Sequence, residues 1–174
     1  LKSAIEFAKP GDTITLIRDV VEAETIVIDK AITIDGDGHK LTSKSAGSNG
    51  RAINVKNADG VTIKNLTIDA AGERAINIIQ NATNVTIENV TATANYAVNV
   101  ASSAPKAVVK IEKSTLTGII PVNVSAEGAD VTVKDSTVNC NDNNTTAGEA
   151  YAGLSLNKDA VGGKIEAINT VINV

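Results

Sequence analysis

The chain has 174 residues, 43% hydrophobic and 21% charged, a composition that excludes a disordered polypeptide and suits one ordinary domain. Its net charge of −4 leaves no basic footprint for nucleic acid, and no apolar run reaches the length of a membrane span. One Cys and one His exclude an internal disulfide and a Cys/His metal cluster, while an aromatic content of 2% leaves the core to Val, Ile, Leu and Ala.

The first element is a short capping helix over residues 1–10. Leu1, Ile5 and Ala8 share one helical face, and Pro10-Gly11 stops it. Residues 11–174 then read as coils. "ITIDGDGHKLT" (32–42) is an early copy of a phrase that becomes regular downstream. "SKSAGSNG" (43–50) breaks the period and reads as a loop insertion. "VTIKNLTI" begins at Val61 and returns as "VTIENVTA" at Val85, "VKIEKSTL" at Val109 and "VTVKDSTV" at Val131. A second phrase runs half a period out of step: "RAINV" (51–55), "RAINI" (74–78), "YAVNV" (96–100), "IPVNV" (120–124) and "AGLSL" (152–156). A second loop insertion falls at 140–150, and a degenerate copy, "GGKIEAINTVINV", closes the sequence at 162–174.

Each phrase alternates apolar and polar residues, the period of a half-buried strand. The alternation slips once, at Asn65, Asn89, Lys113 and Asp135. Asn tolerates a left-handed backbone, so a bend belongs at Asn65 and Asn89. Short strands repeating every 22–24 residues, with no helices between them, predict a coil whose turns stack in parallel about 4.8 Å apart. One coil cannot bury its own apolar edge, so its neighbour must carry the same pattern.

"ITIDGDGHKLT", "GVTIKNLTID" and "NVTIENVTAT" resemble the right-handed, single-stranded parallel β-helix of the pectate-lyase-like superfamily, and "AIEFAKPGDTITL" (4–16) resembles its opening helix and strand. The resemblance implies an all-β fold of about six to seven turns. The Thr-, Ala- and Asn-rich, Trp-free composition is most similar to the repeat modules of bacterial cell-surface and S-layer-type proteins. Lytic members of the superfamily use a calcium-binding acidic cluster with a basic proton acceptor; hydrolytic members use grouped aspartates with a His and a basic residue. Asp35, Asp59, Asp69, Asp130 and Asp135 do not fall in adjacent turns of one column, so neither set can be placed here. "DGDGH" (35–39) also fails as a calcium loop, because the sixth and twelfth positions are Lys40 and Ala46 rather than Gly and Glu.

If turns stack in register, function is read down columns. One column is Lys64, Glu88, Glu112, Lys134 and Glu166, where Glu88 above Glu112 suggests either a glycosidase carboxylate pair or an exposed charge ladder. Threonine columns run through Thr62, Thr86, Lys110 and Thr132, and through Thr67, Thr91, Thr115 and Thr137. Stacked threonines suit ice or glycan contact, or simply strand formation. A third column, Asn54, Asn77, Asn99 and Asn123, reads as a flat, outward-facing polar strip beside Ala52, Ala75 and Ala97, with Arg51, Arg74 and Tyr96 one above another at its edge. These seven Arg, Tyr and Asn residues are the candidate binding set; no catalytic residue, metal ligand or cofactor is assigned.

The expectation is a non-catalytic structural or adhesive module of a bacterial secreted or cell-surface protein, located outside the cell and contacting a glycan or a surface protein through one lateral face. A further domain or another chain is expected at the open C-terminal end. The alternative is a fragment of a polysaccharide lyase or hydrolase with an absent or degenerate active site.

Overall fold

The computed structural model describes residues 1–141 and 152–174. Its alternating phrases become three walls of parallel strands wound as a β-solenoid. The first wall is a seven-stranded sheet: Thr13–Thr15, Thr33–Asp35, Thr62–Lys64, Val85–Glu88, Val108–Glu112, Asp130–Lys134 and Lys164–Ile168. The second and third walls join into one sheet because two long strands, Lys40–Lys56 and Thr67–Ile79, run through the corner between them. Five coils are complete within the described residues, against the expected six to seven. A sixth is described in part, through Asp130–Lys134, Thr137–Cys140 and Leu154–Leu156, and a seventh contributes Lys164–Ile168 and Val171–Asn173.

Like sits on like. Ile34, Ile63, Ile87 and Ile111 are vertical neighbours, as are Ile53, Ile76, Val98 and Val122, and all eight are closed to solvent. Aliphatic side chains stacked at the strand spacing fill the interior without aromatics, which explains how a chain with three aromatic residues forms a core. The left-handed bends expected at Asn65 and Asn89 are present, with φ of 52° at each, and Lys113 and Asp135 repeat the conformation at 50° and 49°. The amides stack there too: Asn89 Nδ2 donates to Asn65 Oδ1 at 2.9 Å, and Asn65 Nδ2 to Asp35 Oδ1 at 3.0 Å.

The opening helix spans Lys2–Phe7 and buries Ile5 against the first coil. Its terminal carbonyls would be orphaned, but Lys30 Nζ accepts that role, donating to the carbonyls of Ile5, Glu6 and Ala8 at 3.1, 3.3 and 3.2 Å. At the other end Leu156, Ile168, Val171 and Ile172 are exposed.

Two expectations change. Residues 43–50, read as a loop, belong to the continuous strand Lys40–Lys56, which shifts register on either side of Gly47 and carries that stretch outward. The second insertion, 140–150, lies almost wholly outside the described residues. Glu166 does not join the charge column: it pairs with Thr132, and Ile168 sits below Lys134. In the last coil Ala167 takes the inner position and apolar Ile168 the outer one, which hides the frame.

Close coil approach makes Gly118 obligatory. A Cβ there would lie 2.1 Å from the Ala94 carbonyl oxygen and 2.6 Å from that of Asn95, both backbone atoms. Gly118→Ala is expected to cost about 1–3 kcal/mol of stability by denaturant titration, as overpacking does.

"DGDGH" is a turn. Asp35 accepts hydrogen bonds from Asn65 Nδ2 and from the Asp37 amide, and lies 3.1 Å from Lys64 Nζ. The Asn65 bond, aided by Asp37 and Lys64 and opposed by desolvation, holds the Asp35 carboxyl below its ordinary 3.8. A carboxyl lowered in the folded state stabilises the fold above the unfolded pKa, and that contribution is lost as pH falls through the folded one. Wild-type protein should therefore lose thermal stability more steeply than Asp35→Asn below about pH 4; parallel slopes would show that the network contributes nothing.

Candidate functional site

The candidate residues sit where the second and third walls meet. Strand pairing places Arg51 above Arg74 and Arg74 above Tyr96, as the phrases predict. The same three strands carry Asn54, Asn77 and Asn99 in one column, which Asn123 and Ser155 continue on the next two coils. Alternation turns Ile76 and Ile78 inward, so Asn77 between them turns outward.

Outward does not mean exposed. Asn77, Asn99 and Asn123 are only 6%, 4% and 9% exposed, so the flat strip anticipated from the sequence is instead a recessed ladder. Asn77 Nδ2 donates to Asn54 Oδ1 at 2.8 Å, Asn99 Nδ2 to Asn77 Oδ1 at 2.7 Å, and Asn123 Nδ2 to Asn99 Oδ1 at 2.8 Å. Each amide bonds to the next, and Asn99 and Asn123 become the floor of an open groove of about 730 Å³. Asn95, Tyr96, Ile119 and Ile120 line one part of it, and Ser125, Ser155 and Asn157 another. A shallower trough over Ala70, Gly72, Ala94 and Gly118 continues past Asn95.

The groove brings together Arg74, Tyr96, Asn99 and Asn123; Arg51, Asn54 and Asn77 stand in the same columns outside its lining. Glu73, which sequence reasoning missed, organises the upper part. Its Oε2 lies 2.6 Å from Arg74 and 3.4 Å from Arg51, so one carboxylate serves two guanidinium groups. The only signal for it was the Glu-Arg pair preceding "AINI". Burial pulls the Arg51 guanidinium below its ordinary basicity, the charge of Arg74 adds to this, and Glu73 opposes it. Arg51 also donates to the Ser48 and Gly50 carbonyls at 3.0 and 2.9 Å, which ties the displaced 43–50 stretch to the column. The Arg74 guanidinium carbon lies 5.3 Å from the Tyr96 ring centre, a cation–π distance.

The other columns hold no such cluster. Glu88 stacks on Glu112, with Lys113 Nζ 3.2 Å from Glu88 on the solvent side, an exposed ladder. Asp35 faces Lys64, Asp69 faces Thr93 and Asp130 faces Lys164, so the aspartates do not group. Among the described residues no three His, Cys, Asp or Glu side chains could hold a metal ion, and no helix is long and apolar enough to cross a membrane.

The family model of the pectate lyase-like adhesive domain matches residues 11–99, 89 of the 174. No curated protein and no solved structure matches the chain.

Proposed function

This chain belongs to the family of pectate lyase-like adhesive domains, and from that membership we propose that it is a non-catalytic adhesive module that works outside a bacterial cell and holds a glycan or a surface protein against its lateral groove. The observation that carries this reading is the groove itself. Arg74 and Tyr96 are poised on a rigid stacked scaffold, over a polar floor already fixed by its own hydrogen bonds. A preformed polar surface loses little freedom on binding, which suits contact without chemistry. The ladder of coils would serve as the spacer that presents it.

Binding of the purified domain to bacterial cell-wall fractions and to a glycan array tests the proposal. Tyr96→Ala and Arg74→Ala, each with an unchanged far-ultraviolet circular dichroism spectrum, are expected to weaken binding about tenfold or more, as truncation of an anchoring aromatic or Arg does. Thr86→Ala, on the opposite wall, should leave binding as it is. Equal binding by all three variants would move the adhesive surface elsewhere. Release of oligosaccharides from a polysaccharide, with or without calcium, would favour the lyase or hydrolase reading instead.

A further inference from the structure

The charge and hydrogen-bonding inventory of the groove narrows what it can hold. Among the described residues its lining contains one anion and one cation, Glu73 and Arg74, and they are paired at 2.6 Å. A polyanionic ligand would have to draw Arg74 away from Glu73 and leave that carboxylate facing it, which is costly in a recessed site. The groove therefore favours an uncharged partner.

The hydrogen-bonding groups that remain are specific. Asn77 and Asn99 each spend one N–H on the neighbour above and accept one bond from the neighbour below, so Asn99 keeps a second N–H and a second lone pair. The spare N–H of Asn123 leans toward Ser125 Oγ at 3.4 Å, beyond good geometry. Arg74 Nε is closed to solvent and has no hydrogen-bond partner among the described residues. A buried donor in that state gains from any acceptor that a small movement of its cover lets in. Apolar area is supplied in small pieces by Ala101, Ile119 and Ile120. The Tyr96 ring already carries the Arg74 guanidinium, so recognition falls to ligand substituents rather than to stacking of a sugar ring.

One substituent uses all of these. The carbonyl of an acetamido group accepts from a donor such as Arg74 Nε, its N–H donates to an amide or hydroxyl oxygen, and its methyl needs a small apolar patch. A plain hydroxyl lacks the methyl and the strong acceptor; a carboxylate lacks the N–H and brings charge. We propose that the groove binds the acetamido group of a neutral, N-acetylhexosamine-containing glycan. This rests on the reading of the groove as the adhesive surface, and specifies its ligand.

The test is titration of ¹⁵N-labelled protein, followed by NMR, with triacetylchitotriose, its deacetylated form, cellotriose and a short oligogalacturonate. Soluble peptidoglycan strands, which carry the same acetamido group together with lactyl or peptide carboxylates, form the arm that separates a neutral source from an acidic one. Triacetylchitotriose should shift the side-chain amides of Asn99 and Asn123 at lower concentration than the peptidoglycan strands do, and cellotriose should bind at least about tenfold more weakly. Arg74→Lys keeps the charge beside Glu73 but removes the Nε donor, so it should lower affinity for the acetylated ligand about tenfold while leaving the spectrum of the free protein folded. Equal binding of cellotriose, tighter binding of oligogalacturonate, or an undiminished Arg74→Lys would overturn the acetamido assignment and leave the groove as a glycan surface. Silence of the groove toward every saccharide, with adhesion still lost in Arg74→Ala, would overturn it in favour of a protein partner. Adhesion unaffected by Arg74→Ala and Tyr96→Ala would remove the underlying reading as well.

Discussion

Ile87→Ala is expected to destabilise the protein by about 2–5 kcal/mol, the range for removing a fully buried branched side chain from a packed interior. Ile87 is closed to solvent between Ile63 above and Ile111 below. Its methyls therefore touch two other coils as well as their own, and a solenoid coil has no contacts beyond its two neighbours to compensate. The loss should also be directional. Amide hydrogen exchange should accelerate in the strands Thr62–Lys64 and Val108–Glu112 before it does in the capping helix. Thr86→Ala, one residue away on the outer side of the same strand, should change stability by no more than about 0.5 kcal/mol. Similar effects for the two would mean that the inward and outward faces have been exchanged.

The second large effect concerns the amide ladder. Asn99 donates to Asn77 and accepts from Asn123, and all three are almost closed to water. Asn99→Ala strands the Asn77 oxygen and the Asn123 N–H together. At about 1–3 kcal/mol for each buried unpaired group, the loss should total about 2–6 kcal/mol. Asn99→Asp is more informative. Its carboxylate can still accept from Asn123 but faces the Asn77 oxygen with no proton between them. Stability should fall further as pH rises through the carboxylate range and recover in acid, where the protonated form donates again. A pH-independent Asn99→Asp would show that the ladder is wet and contributes no hydrogen-bond energy. An exposed amide such as Asn173, at the open end, should tolerate the same substitution with a change of no more than about 0.5 kcal/mol.

These two predictions mark where sequence reading succeeds and where it stops. The stacking of Thr67 on Thr91, of Ile63 on Ile87 and of Arg51 on Arg74 and Tyr96 was legible. The physical reason is that a coil can bury its edge only against a copy of its own pattern, so phrase alignment is strand register. The left-handed bends at Asn65 and Asn89 were legible from the slipped alternation and the Asn that occupies it. What alternation cannot report is depth. It distinguishes in from out, and Asn99 is out, but the groove it lines is shaped by aperiodic stretches as well, such as those of Asn95, Ile119 and Ile120. The role of Glu73 was hidden for the same reason, because it lies between two phrases. The displaced stretch 43–50 looked like a loop because its composition is polar and Gly-rich, yet its backbone still pairs at Gly47 with Gly72. The Glu166 frame failed because the final copy is degenerate and puts Ala167 inside.

Everything said of the groove depends on coils stacked in parallel and in register, and paired cysteines measure that directly. In a Cys140→Ser background, Thr67→Cys with Thr91→Cys places two thiols on adjacent rungs of one column, where parallel strands about 4.8 Å apart permit a disulfide. Thr67→Cys with Thr115→Cys places them two rungs apart, beyond reach. Oxidation of the monomer should close the first pair rapidly and leave the second reduced. Ready closure of the 67–115 pair, or failure of 67–91 to close in folded protein, would contradict the stacked-coil account.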